Sequence, residues 1–321
     1  IDMDTQNTKF NLKVTDAKLT GRSGSGTNNF HYYTSVTSNG SNSGSGTGPS
    51  TKVSFNMDNQ TTWAAMKLVG GQVIDIKDAT FNYHGSGDPN YKKRWLFHTD
   101  GHNDNGESTW VLNNGTSVNV TGDKLIMYTS QYHWGTPYAN IGFVNEGTIS
   151  FSGTNNIGWV ALDEGGDSER QQYFHNKGTV NFLGNNNIIA YINSPYSPTN
   201  SGWSFINDGT MTLGGTGQFG IITGRVYPAS EILLNKKMEI SGNNNVGAVF
   251  RFDTDLDGGE AFSQSTADNI VTILPAISRA SVLNFDISGT NNTGMYFNST
   301  KKSSTDPSTF NIKKSKINIK S

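Results

Sequence analysis

Residues 144–162 read VNEGTISFSGTNNIGWVAL, and residues 174–192 read FHNKGTVNFLGNNNIIAYI. The two stretches are one unit written twice. Apolar residues alternate up to a glycine, as Ile149 and Phe151 do before Gly153 and as Val180 and Phe182 do before Gly184. A period of two is the pattern of a strand with one buried face. A short polar link, Gly-Thr-Asn-Asn or Gly-Asn-Asn-Asn, then gives way to a second apolar strand at Ile157–Leu162 or Ile188–Ile192. Glycine and asparagine suit a sharp bend, because both tolerate positive φ.

The unit recurs at 205–223, 233–250 and 282–297, with a weaker copy at 112–129. Taking Gly122, Gly153, Gly184, Gly214, Gly242 and Gly289 as anchors gives separations of 31, 31, 30, 28 and 47 residues. Fragments at 10–19 (FNLKVTDAKL), 74–81 (IDIKDATF) and 310–319 (FNIKKSKINI) extend the array over nearly the whole chain. Asp16 falls a double period of 62 residues before Asp78. A single unit cannot bury its own apolar face, so units must stack, with equivalent strands parallel and about 4.8 Å apart. The expected fold is an all-β, right-handed parallel β-helix of nine or ten rungs with loop insertions. Residues 1–111 form its irregular part and 112–321 its regular part. Phe151, Phe182, Leu213, Ile240 and Ile287 are expected in one interior column. Asn155, Asn185, Asn243 and Asn291 are expected to form an amide ladder along the bends. Only 61–68, TTWAAMKL, is open between a turn of helix and a strand.

Composition agrees with a thin core and a long surface. Of 321 residues only 33% are apolar and 16% charged, while aromatic residues reach 11% and the net charge is −2. Disordered chains usually combine high net charge with few aromatic residues, so disorder is excluded. Near-neutral charge offers no footprint for nucleic acid. No apolar run approaches the roughly 20 residues of a membrane-spanning helix. The absence of cysteine excludes disulfides and cysteine-bound metal. The chain opens within the pattern, so a piece of a longer protein is expected.

A rung needs fewer residues than the observed period, which leaves a connection in each turn: 128–142, 163–173, 193–204, 224–231 and 253–281, with 21–50 and 84–109 in the N-terminal part. Counted from the anchors, Tyr132 and Trp134 lie 10 and 12 residues on, Asp163 lies 10 on, Tyr196 lies 12 on and Tyr227 lies 13 on. Similar offsets place these residues near one another on one side. Trp203, at the end of its connection, joins the set. Rings beside amides and carboxylates suit a sugar, which needs a flat apolar face and directional acceptors. Tyr132, Trp134, Tyr196, Trp203 and Tyr227 are therefore the expected ligand-binding residues. The competing reading is that the rings cap the core beneath their loops.

The string from Gly289 to Phe297, Gly-Thr-Asn-Asn-Thr-Gly-Met-Tyr-Phe, follows the Asn-x-Gly-Thr-x-x-Phe-x-Gly pattern of Asn145–Gly153 and Asn176–Gly184. Together they resemble the passenger repeats of large type V autotransporter adhesins, most closely those of the fusobacterial RadD-like group. The resemblance is clear over 112–297 and partial elsewhere. It implies a passenger segment displayed on the cell surface and anchored to the outer membrane through a C-terminal barrel, without itself spanning the membrane. It also implies a receptor or glycan on host or partner bacterial cells as the partner.

Two clusters suggest metal. In 253–260, Asp253, Asp255, Asp257 and Glu260 alternate with or follow small residues, with Gly258 after the third aspartate. That is the opening of a calcium loop, where hard oxygen ligands converge and glycine permits the reversal. Gln264 at the twelfth position and the strand-like flanks depart from the helical version, and a solvated acidic loop is the competing reading. The second cluster, His98, Asp100, His102 and Asp104, has no defined further ligand and reads better as a polar loop. β-Helical polysaccharide lyases and hydrolases set carboxylates on one strand face. Here the outward strand positions are Ser150, Ser152, Asn181 and Thr212, so an adhesive rather than an enzymatic role is expected. A carbohydrate-active enzyme and a purely structural stalk are the alternatives.

If the 253–260 segment holds calcium, binding to the folded state alone stabilises it by mass action. Added calcium should then raise the melting temperature and chelator lower it, and Asp255→Asn should abolish that dependence. A melting curve indifferent to both returns the segment to a solvated acidic loop.

Overall fold

The structure is a computed structural model and describes residues 17–20, 51–56, 64–69, 73–76, 79–86, 95–100, 106–132, 139–163, 171–193, 202–223, 231–251, 277–298, 310–312 and 316–320. Every regular element among them is a strand, and the strands pair in parallel throughout the described residues. The chain coils through three sheets in turn, forming a β-solenoid. Sheet 1 stacks ten strands: Ala17–Thr20, Thr51–Asn56, Ala79–His84, Ser117–Val120, Thr148–Phe151, Thr179–Phe182, Thr210–Leu213, Met238–Ile240, Asn284–Ile287 and Lys316–Ile319. Sheet 2 stacks eight: Ala64–Val69, Trp95–Asp100, Ile126–Tyr132, Ile157–Asp163, Ile188–Asn193, Phe219–Thr223, Val246–Arg251 and Thr293–Asn298. Sheet 3 stacks six: Val73–Ile76, Gly106–Leu112, Ala139–Asn145, Gln171–Asn176, Gly202–Asn207 and Glu231–Leu234. A two-stranded pair, Ile277–Ser281 with Phe310–Ile312, follows.

The rung count differs from the nine or ten expected. Six consecutive turns carry a strand in all three sheets among the described residues, and the turns between 106 and 223 are the most regular. The segment 61–68 contributes to the strand Ala64–Val69 rather than to a helix. Near the N-terminus Ala17 registers with Val53, and Val53 with Phe81. The strand at 51–56 supplies the intervening turn of the expected double period, and the equivalence of Ala17 with Phe81 is two residues off the expected alignment of Asp16 with Asp78, which lie outside the described residues.

Alternation fixes what each strand of sheet 1 buries. Phe151 registers with Phe182, Phe182 with Leu213, Leu213 with Ile240, and Ile240 with Ile287, forming the expected interior column. All five are buried, and the Phe151 and Phe182 rings stack at 4.1 Å. Sheet 3 supplies a second column, Trp110, Phe143, Phe174, Phe205 and Ile232. Its phenylalanine rings stack at 5.6 and 5.5 Å. Sheet 2 does not alternate. Trp159 and Ala161 join the interior, while Val160, Tyr191, Ile222 and Val249 register with one another in a separate apolar cluster. Near-continuous apolar runs are usual where a parallel sheet is covered on both faces.

The bend between sheets 1 and 2 corrects the sequence reading. Bridges link Thr154 to Asn185, Asn185 to Thr216, and Thr216 to Asn243, so the anchor in that turn is Gly215 rather than Gly214. A Cβ on Gly184 would fall 1.8 Å from the Gly153 carbonyl oxygen, and one on Gly215 the same distance from that of Gly184. Close approach of successive turns, more than backbone freedom, demands glycine there. Positive φ falls two residues later, at Lys124, Asn155, Asn186, Gly217, Asn244 and Asn291, and at the anchors Gly242 and Gly289 as well. Asparagine is favoured among non-glycine residues in this conformation.

The amide ladder is therefore built by the third residue after each anchor, not by Asn155, Asn185, Asn243 and Asn291. Its members are Asn156, Asn187, Gln218, Asn245 and Asn292. The Asn156 backbone N–H donates to Asn187 Oδ1 at 2.8 Å, and that of Asn187 to Gln218 Oε1 at 2.9 Å. Those of Gln218 and Asn245 donate to Asn245 and Asn292 Oδ1 at 2.7 and 2.8 Å. Each amide also donates back to the preceding anchor: Asn187 Nδ2 reaches the Gly153 carbonyl at 3.1 Å and Asn245 Nδ2 that of Gly215 at 3.0 Å. One side chain thus satisfies a backbone N–H that the bend withdraws from the strand ladder and adds a second donor to an anchor carbonyl that already accepts a backbone N–H, as Gly153 does from Asn185. At the corner between sheets 3 and 1, Asn145 donates to Asn176 at 2.8 Å and Asn176 to Asn207 at 2.7 Å. Leu112 and Leu234 occupy the same register before and after these three.

Asn187→Ala strips the partner from the Asn156 N–H, while the Gly153 carbonyl keeps the Asn185 N–H, and should cost about 1–3 kcal/mol at the usual penalty for one unsatisfied buried group. Asn186→Gly retains the backbone conformation and should stay within about 1 kcal/mol of wild type. Denaturant titration of the two variants side by side checks the assignment.

Candidate functional site

The connections 133–138, 164–170, 194–201 and 224–230 each run from the end of a sheet 2 strand to the start of the next sheet 3 strand. Tyr132 closes one sheet 2 strand and registers with Asp163 in the next turn, as their equal offsets from the anchors require. Trp134, Tyr196, Tyr227, Asp253, Asp255, Asp257 and Glu260 lie outside the described residues. Trp203 does not belong to a binding loop. It sits in the strand Gly202–Asn207, two residues before Phe205, and alternation sends both into the core; Trp203 is 2% exposed. His98 is likewise buried in a strand, its ring 4.7 Å from that of Trp95, and His102 and Asp104 lie outside the described residues. No group of three or more His, Cys, Asp or Glu side chains among the described residues is placed to hold a metal.

The described residues nearest to a binding constellation lie on the outer face of sheet 3, where sequence reasoning did not look. Phe174, Gln172 and Asn176 are buried, so the intervening Tyr173 and His175 turn outward and are half-buried. Tyr173 registers with Gly142, 31 residues earlier. A Cβ on Gly142 would fall 2.1–2.4 Å from three atoms of the Tyr173 ring. The ring therefore lies over the Gly142 backbone, and any side chain at 142 would lift it. Its hydroxyl reaches one turn further, to Thr109 Oγ1 at 2.8 Å. One turn onward, Ser204 registers with Tyr173 and its Oγ donates to Glu231 Oε1 at 3.1 Å.

Beside this ring runs an electrostatic column on the corner toward sheet 1. Lys177 Nζ donates to Glu146 Oε1 at 3.2 Å. His175 Nε2 and Asp208 Oδ2 are 2.6 Å apart, and Asn235 Nδ2 donates to Asp208 Oδ1 at 2.8 Å. Hydrogen bonds from Asn235 and then His175 hold the Asp208 carboxyl below the ordinary carboxylate range. That is the direction opposite to what a general acid requires.

The chain matches no protein-family model, no curated protein and no solved structure.

A separate polar chain runs within the coil. Trp159 Nε1 donates to Ser130 Oγ at 2.9 Å, Ser130 in turn donates to Gln172, and the Tyr128 hydroxyl donates to Thr99 Oγ1 at 3.2 Å. Burial pushes the Tyr128 phenol upward. All of these groups are buried, so the network holds turns together and offers no outward surface. The outward Tyr173 was legible in principle. A glycine one period before an aromatic residue in register is the signal, visible once the 31-residue spacing is applied inside the strand.

A depressed carboxyl stabilises the fold above its unfolded pKa, and the contribution is lost as pH falls through the folded value. The Asp208 cluster should therefore weaken as pH drops below the ordinary 3.8. Asp208→Asn should lower stability modestly at neutral pH and converge on wild type at acid pH, flattening part of the acid-induced loss. Thermal melts across the acid range read this directly.

Proposed function

We propose that this chain is a segment of a cell-surface adhesin, a β-solenoid that presents fixed lateral faces to a receptor or glycan on another cell. The observation that carries the reading is the outer face of sheet 3, where an aromatic ring is laid over the backbone beside hydrogen-bonding groups. The carboxylates near it favour binding over catalysis. Glu146 is engaged by Lys177, and Asp208 by His175 and Asn235. A hydrolase acid needs a raised pKa, and Asp208 is shifted the other way. On sheet 1 the outward positions Ser150, Asn181 and Thr212 register in one column that continues into Glu239 and Asp286, whose carboxylates are both paired with Lys237, and that of Asp286 with Lys320 as well.

The passenger resemblance of the repeats fits the same reading. A right-handed coil is the hand that crossovers between parallel strands nearly always adopt. A chain without cysteine suits export in an unfolded state followed by assembly outside the outer membrane. The anchor in this proposal is a C-terminal barrel, and the partner is a glycan or protein on a host or neighbouring bacterial cell.

Beads coated with the purified chain should retain bacterial or epithelial cells above the level of beads coated with an unrelated β-rich protein. Retention equal to the control, together with depolymerisation of a polysaccharide by the soluble chain, would replace adhesion with enzymatic activity.

A further inference from the structure

We infer that two copies of this chain join through the far end of sheet 1, the strand Lys316–Ile319 of one pairing antiparallel with the same strand of the other about Asn318. The inference stands beside the adhesive reading and does not depend on it. Residues 315–321 read SKINIKS, the same in both directions. A two-fold contact meets itself, so residue i must suit residue j and j must suit i. A palindromic strand laid antiparallel on its own copy meets that condition at every position. Asn318 falls opposite Asn318, Ile317 opposite Ile319, and Lys316 opposite Lys320.

The backbone of this strand is open on one side. Among the described residues it is the last strand of sheet 1, and its neighbour is Asn284–Ile287. The Lys320 N–H donates to the Ile287 carbonyl at 2.8 Å. Successive residues of a strand direct their N–H and C=O groups to opposite edges, so Asn318 and Lys320 bond into the sheet while Ile317 and Ile319 face away from it. Such an edge is a template for a further strand. Antiparallel pairing about Asn318 makes each Ile317–Ile319 couple a hydrogen-bonded pair that exchanges both its bonds.

The side chains are open at the same place. Ile317 registers with Phe285 and Ile319 with Ile287, extending two interior columns by one turn. Phe285 and Ile287 are 1% and 6% exposed beneath them, whereas Ile317 and Ile319 are 43% and 79% exposed. The other exposed large apolar residues among those described are Leu183 and Tyr296, and Tyr296 belongs to the last strand of sheet 2. Apolar surface is thus concentrated at this end, and the second copy covers it with the same two isoleucines. Lysine on an edge strand ordinarily discourages pairing. Here Lys320 Nζ is held by Asp286 Oδ2 at 2.9 Å, which offsets its repulsion of Lys316 in the second copy.

Sedimentation velocity over a rising concentration series should show monomer passing to dimer and nothing larger, with the weak affinity of a contact below standard size. Ile319→Lys, at a position exposed in the single chain, should leave the melting curve in place and weaken the dimer about tenfold. The chain has no cysteine, so one introduced thiol reports its own neighbour. Across the two-fold axis the Asn318 Cα atoms stand about 4.5 Å apart, within reach of a disulfide. Oxidised by glutathione disulfide, Asn318→Cys should yield a linked dimer on a non-reducing gel far faster than Asn181→Cys, which lies in the same outward column at mid-sheet. Should Ile319→Lys shift the melting curve, the two thiol variants decide. A chain that stays monomeric at every concentration overturns the contact. So does an open series of larger species, the mark of head-to-tail stacking, or Asn318→Cys crosslinking no faster than Asn181→Cys.

Discussion

Each bend between sheets 1 and 2 takes a backbone N–H out of the strand ladder and buries it between turns, and an amide side chain of the next turn answers it while adding a donor to an anchor carbonyl. The rest of the coil depends on that exchange. It requires an asparagine or glutamine three residues after the anchor, a residue tolerant of positive φ just before it, and no side chain on the anchor itself, where the next turn passes within contact of the carbonyl. Three of four consecutive positions are constrained at once, which is why the polar link varies less than the strands. Gln218 shows the tolerance of the arrangement: a longer amide serves where Gly217 precedes it.

Register follows from the same constraint. Because successive bends are locked together, Phe151 lies over Phe182 and Phe143 over Phe174, and identical side chains pack on themselves with nearly parallel planes. A slip of one residue would send every interior ring outward. The Asn145–Asn176–Asn207 series does the same at the opposite corner over a shorter span, bounded by leucine on either side.

The period-two pattern and the 31-residue spacing were legible in the sequence because the interior column repeats its residue type at each turn. The bends were legible in kind but not in role. In Gly-Asn-Asn-Asn every position looks alike, and the Gly214–Gly215 pair offers two anchors; only contact between turns separates them. Trp203 was misread because the boundary between connection and strand leaves no mark in a polar, glycine-containing stretch, and alternation from Phe205 had to be carried back past it. Tyr173 went unnoticed for the converse reason. It stands inside a strand between two buried residues, and its meaning comes from the glycine one turn away rather than from its own neighbours.

The winding of the chain sets how such a rod behaves under load. Bonds between turns run along the rod, while the covalent chain runs around it, so tension applied through the polypeptide peels the end turn first and leaves its neighbours intact. A turn of 31 residues adds about 4.8 Å to the rod while stacked and about 100 Å once drawn out. A rod built this way lengthens in discrete steps of roughly twentyfold per turn, dissipating work at each release.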